Sequence, residues 1–154
     1  MASRSLCVTD TNVWIDLEAA GLIELAFQLP LDFQAPDVIV AELVRPEGKT
    51  LTGQGLKERE LTGAEVLEVA LLAARHHRPS RVDLFALALA RSDGAVLLTG
   101  DRHLREAAER EGVEVHGTLW LIDLMIERSL LEPEEAARRL RQARERGRRL
   151  PLRS

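Results

Sequence analysis

A chain of 154 residues, 45% apolar and 30% charged, can bury one globular core and is too apolar to stay disordered. One cysteine, Cys7, excludes intramolecular disulfides and thiolate metal clusters. The net charge of −4 divides into −11 over residues 1–137 and +7 over residues 138–154, where eight Arg face only Glu145.

In chain order, Leu6–Thr9 reads as a short buried strand, with Cys7 as its inert thiol. Helical apolar spacing starts at Val13 and is interrupted at Gly21. After Pro30, residues 31–35 suit a second strand, and Pro36 opens a helix carrying Val38, Ile39, Ala41, Glu42 and Leu43, which Pro46-Glu47-Gly48 ends. Residues 47–55 read as a flexible surface loop. Thr62 and Glu65 form a capping box for a helix running towards His76, and Ser80 and Asp83 form a second one before the apolar run LFALALA. Gly94 closes that helix. Then come a strand at 95–99, an amphipathic helix at 102–111, a last strand at 113–116, and helices at 118–128 and 133–148.

Short strands alternating with helices imply an α/β fold with a mainly parallel sheet of about five strands. The expected division is a body over 1–137 and an Arg-rich helix or tail over 138–154, both in one domain. No opening basic segment precedes an apolar run, and no apolar stretch nears the roughly 18 residues of a membrane span. A cytoplasmic protein without a membrane partner is expected.

Four acidic residues interrupt apolar or helix-starting contexts. Asp10 ends the first strand, Glu42 lies in the apolar VIVAELV, Asp83 starts an apolar helix, and Asp101 ends the strand of VLLTGD. Each has a structural reading alone: Asp10 and Asp101 as helix caps, Asp83 as half of a capping box, Glu42 as an exposed helix position. As a set they point to chemistry. Ligands of parallel sheets sit at the carboxyl ends of the strands, near the point where strand order reverses. Carboxylates gathered there raise one another's pKa unless a cation compensates, and oxygen-only ligation suits Mg²⁺ or Mn²⁺. Metal-assisted hydrolysis of a phosphodiester is the matching reaction.

The segments DTNVWIDL, VIVAELV, SRVDLFALALA and LLTGDRHLREAAEREGVEVHGTLWLIDLM, from Val8 to about Met125, resemble the successive motifs of PIN-domain ribonucleases. The resemblance implies an α/β/α sandwich and a metal-dependent endoribonuclease, similar to the VapC-like toxins of toxin–antitoxin modules. It matches Asp10, Glu42, Asp83 and Asp101 to the family's acidic quartet, with Asp10, Asp83 and Asp101 as metal ligands and Glu42 as a ligand or proton acceptor. Asn12 and Thr99 match supporting positions that orient carboxylates or a water. The resemblance further implies an RNA substrate, a homodimer and a small inhibitory antitoxin. An alternative is the same fold serving as an RNA-binding or assembly module without nuclease activity. A phosphoaspartate enzyme fits poorly, because Asn12 stands two residues after Asp10 and the only lysines are Lys49 and Lys57.

Other residues carry weaker expectations. Arg102 and His103 could meet a phosphate at a helix start, or be solvated. His76 and His77 are adjacent on a helix and cannot easily share an ion. Asp93 reads as part of a turn, and Asp16 as a solvent-side position. Trp14 and Trp120 suit a core or dimer interface better than base stacking. The Arg-rich tail reads equally as a phosphate-binding element or a solvated, partly frayed end, with an acidic partner protein as a further option.

Overall fold

The computed structural model describes residues 4–150. The chain orders as β1 (Ser5–Thr9), α1 (Thr11–Ala20), α2 (Ile23–Gln28), β2 (Leu31–Pro36), α3 (Asp37–Glu42), α4 (Gly48–Gln54), β3 (Lys57–Arg59), α5 (Gly63–Arg75), α6 (Arg81–Asp93), β4 (Val96–Leu98), α7 (Arg102–Arg110), β5 (Val115–His116), α8 (Thr118–Glu127) and α9 (Pro133–Glu145). The five strands form one sheet in the order β3-β2-β1-β4-β5, every pair parallel, with helices flanking it. The expected fold class is therefore the observed one.

Local chemistry explains several element ends. The Thr62–Glu65 and Ser80–Asp83 capping boxes both form, each satisfying orphan N–H groups at a helix start. Gly21 and Gly94 take the left-handed conformation at the ends of α1 and α6, where a side chain would cost energy.

The core packs on β1, β2 and β4 and includes Trp14, fully buried in a ring cluster with Phe27 and Phe33 at centroid distances of 5.2 and 5.3 Å. The Trp14 indole N–H donates to Thr9 Oγ1 at 2.7 Å, so its one polar atom is satisfied in the core. Cys7 is also fully buried, and desolvation pushes its thiol up to about 12, which keeps it protonated and unreactive.

Two segments differ from expectation. Residues 47–55 are not a loop: α4 forms there because Leu51 is drawn fully into the core, and tertiary burial outweighs a composition poor in helix formers. Close packing on α3 adds a second constraint. A Cβ at Gly48 would lie 2.1 Å from the Val40 carbonyl oxygen and 2.8 Å from its Cγ1, and backbone cannot swing aside. Gly48→Ala is expected to cost about 2–3 kcal/mol, read as a lowered urea midpoint with an unchanged slope. Strand β3, Lys57–Arg59, was not anticipated, since three exposed or half-buried polar residues carry no apolar pattern. Helix α3 also stops at Glu42 and α9 at Glu145, each short of its expected end.

Candidate active site

Strand register builds the centre. Thr9 of β1 is opposite Leu98 of β4, so the next residues, Asp10 and Thr99, emerge side by side at the carboxyl edge. The Asp10 N–H donates to the Leu98 carbonyl at 3.0 Å and extends the ladder one step. The chain passes from β1 to β2 on one side and later returns to β4 on the other. This pair of strand ends is thus the topological switch point of the sheet.

Asp10 is fully buried. It accepts from the Val13 N–H at 3.0 Å, capping α1, and from the Thr99 hydroxyl at 2.5 Å. The same Thr99 oxygen accepts from the Asp101 N–H at 2.9 Å, so one hydroxyl links the two carboxylate-bearing turns. Burial pushes the Asp10 carboxyl up to about 7, and the Asp83 charge adds to this; bonds from Thr99, Val13 and Gly100 pull in the other direction. Asp101 caps α7 through the Leu104 N–H at 2.9 Å. Asp83 closes its capping box with Ser80, yet its pKa is raised by burial first and then by the charges of Asp101 and Glu42. Glu42, exposed at the end of α3, accepts from the Thr11 hydroxyl at 2.8 Å.

Capping and convergence are therefore not alternatives. Asp10, Asp83 and Asp101 all serve helix starts, and those starts face one end of the sheet closely enough for the charges to act on one another. Among the described residues no three Asp, Glu, His or Cys side chains stand together as a ready cage for a metal ion. The donor set nevertheless suits a hard divalent cation: its donors are carboxylate oxygens, and like charges raise the carboxyls of both Asp10 and Asp83.

Beside this centre opens a cavity of about 810 Å³, whose lining includes Asn12, Asp16, Thr99, Asp101 and Arg102. His103 is not in its wall; its Nδ1 is buried with no hydrogen-bond partner among the described residues. Asp93 belongs to a separate cluster, accepting from Gln34 at 2.7 Å and Arg59 at 2.8 Å. His76 sits at the end of α5 against Glu111 at 2.6 Å, and His77 contacts the Ala74 carbonyl instead, so the two do not act together.

Asp16 corrects the sequence reading. It is 4% exposed, not solvent-facing, and accepts from Thr118 Oγ1 at 2.8 Å and from Arg148 Nε at 2.7 Å. The signal was present: Asp16 stands three residues after Val13 and four before Ala20, and both are fully buried. Arg148 comes from the basic tail, which is not frayed over its described part. Arg146 and Gln142 both donate to the Ala19 carbonyl, at 3.0 and 3.2 Å, satisfying an orphan acceptor at the end of α1. Arg144 reaches the Leu150 carbonyl at 2.8 Å. Residues 151–154 lie outside the described part.

An all-parallel α/β chain with a carboxylate centre at its switch point defines a recognisable class. A family model described as PIN domain matches residues 6–153, and the chain belongs to that family. No curated protein matches it in sequence. Among solved structures it is similar to PAE2754 from Pyrobaculum aerophilum, at 17% identity and TM-score 0.60, covering 78% of this chain and 95% of that one. It is also similar to a PilT N-terminus domain protein, SSO1118, from Sulfolobus solfataricus P2, at 13% identity and TM-score 0.55, covering 77% and 91%. A third is VapBC2 from Rickettsia felis, bound to a DNA fragment from their promoter, at 12% identity and TM-score 0.52, covering 73% and 98%. At these identities the likeness is one of fold.

Proposed function

We propose that the protein is a Mg²⁺- or Mn²⁺-dependent endoribonuclease acting as the toxin of a toxin–antitoxin pair. The carrying observation is the convergence of raised carboxyls in a PIN fold: Asp10 at the switch point, raised by burial and by the Asp83 charge, and Asp83, raised by burial and by the charges of Asp101 and Glu42. Asp10, Asp83 and Asp101 would hold the cation, which when bound offsets the charge on a phosphate and acidifies a water. Thr99 holds Asp10 and the Asp101 turn in fixed relation, and Asn12 lies in the cavity wall as a positioning group. Glu42, exposed and oriented by Thr11, accepts the proton of the attacking water. Arg102 meets the substrate phosphates from the start of α7.

A small protein partner is supported by the likeness to VapBC2. It is also supported by Leu67 and Leu71, exposed apolar side chains four residues apart on one face of α5, which a partner or a second copy would cover. The described residues contain no helix long and apolar enough to cross a membrane, which agrees with a cytoplasmic setting. The lack of a ready three-ligand cage among the described residues favours one rival, a PIN-fold RNA-binding module without hydrolysis. Incubating the purified protein with single-stranded and structured RNA separates the two. Cleavage that requires Mg²⁺ or Mn²⁺ and stops with EDTA is expected. Intact RNA with either metal, despite measurable RNA binding, would establish the rival instead.

A further inference from the structure

The cavity beside the carboxylates has an aromatic wall that the hydrolytic reading does not use. His116, at the end of β5, and Trp120, in the first turn of α8, stack in parallel with centroids 4.4 Å apart and planes 5° from coincidence. Both line the cavity and both are half-buried, so the pair presents aromatic surface to whatever enters. A bond between His116 Nε2 and Glu114 at 2.8 Å holds the imidazole in place. Trp14, by contrast, is sealed in the core.

The platform is registered to the acidic centre. His116 pairs with Leu98, and its carbonyl accepts the Thr99 N–H at 2.9 Å, placing it two strand spacings, about 10 Å, from β1. Arg102, Arg105, Arg148 and Arg149 line the same cavity. Gly117 makes room for one of them: a Cβ there would stand 2.9 Å from the Arg105 guanidinium, although its φ of −116° would accept any residue. The glycine serves close approach, not backbone conformation. Arg148 is committed to Asp16, whereas Arg102 and Arg149 are exposed.

Flat aromatic surface beside several guanidinium groups is the chemistry that binds single-stranded nucleic acid: a base has a π-face to stack, and its phosphates take the charge. We infer that this cavity is a nucleotide subsite in which one base of single-stranded RNA stacks on the Trp120–His116 pair while flanking phosphates meet Arg105, Arg102 and Arg149. The inference rests on the nuclease reading for its choice of RNA, and it assigns substrate contacts in addition to those of the carboxylates.

The test uses the whole protein in EDTA, with a short oligoadenylate and an abasic oligonucleotide of the same length as probes. Oligoadenylate should quench the tryptophan emission, because Trp120 is the tryptophan within reach. Trp120→Leu should weaken oligoadenylate binding about tenfold and leave abasic binding unchanged, and Trp120→Phe should recover most of the loss. If Trp120→Leu binds oligoadenylate as tightly as the wild type, or weakens both probes equally, the subsite is wrong. Absence of quenching in the wild type also overturns it and favours a protein partner on this face. Metal-dependent cleavage by the wild type is scored separately, so failure of the subsite is distinguishable from failure of the nuclease reading.

Discussion

Asp10→Asn is expected to lower RNA cleavage by about a thousandfold or more while making the metal-free protein more stable at neutral and alkaline pH. The two effects share a cause. Asp10 is fully buried, and its folded-state pKa of about 7 stands well above the 3.8 of an exposed aspartate. Below about pH 4 the carboxyl is protonated in both the folded and unfolded chains and contributes nothing to pH dependence. As pH rises, the unfolded chain releases the proton first, whereas the folded chain holds it until about 7. Stability from this group is thus fully present below pH 4 and is lost as pH rises through 7, with a cost of about 4 kcal/mol at the limit.

Asparagine carries no titrating proton and escapes that cost. It also has to place an amide against Thr99, whose oxygen already accepts from Asp101, so the net gain at pH 8 is expected nearer 2 kcal/mol. Urea melts of both proteins in EDTA at pH 5 and pH 8 would show it: a small difference at the lower pH and the variant ahead at the higher. Added Mn²⁺ should then raise the wild-type midpoint and leave the variant's nearly still, because only the carboxylate gains from the cation. A variant that cleaves RNA as well as the wild type would remove Asp10 from the mechanism. A wild type indifferent to Mn²⁺ would remove the cation.

Arg148→Ala is expected to destabilise the protein by about 3 kcal/mol, lowering its melting temperature by roughly 8 °C. Asp16 is buried, and Arg148 and Thr118 each bond one of its oxygens. Removing the guanidinium leaves a buried carboxylate with one neutral donor, a change that costs far more than loss of a surface ion pair. The magnitude is discounted because Arg148 keeps about a quarter of its side chain in water. Loss of its longer contact to Asn12, 3.4 Å, would also loosen the cavity wall. Asp16→Asn in the Arg148→Ala background should restore most of the stability, since the uncompensated charge is then gone. Equal melting of wild type and Arg148→Ala would return the tail to the role of a solvated end.

What could be read in advance follows from range. A strand that stops at an aspartate, a Ser or Thr three residues before an acid, and a glycine after an apolar helix all act within one helical turn. VTDTN, TGAE, SRVD and the Gly94 cap therefore form as their residues dictate. The places of Asp10 and Asp101 at strand ends and helix starts are legible for the same reason, and a parallel sheet puts those two ends side by side. Helix α4 was not legible, because its local preference is weak and Leu51 finds its place only against the finished core.

The sequence by itself determined the alternation of strands and helices, the caps that start them and the acidic residues at the strand ends. Tertiary structure alone decided which distant partner a buried polar group took. Arg148 lies 132 residues from Asp16 and Thr99 lies 89 from Asp10, and no periodicity encodes a hydrogen bond across such a span. Those pairings exist because parallel register brings β1 against β4 and because α9 packs along α1. Burial then makes an unpaired charge too costly to leave, and the tail supplies the nearest guanidinium.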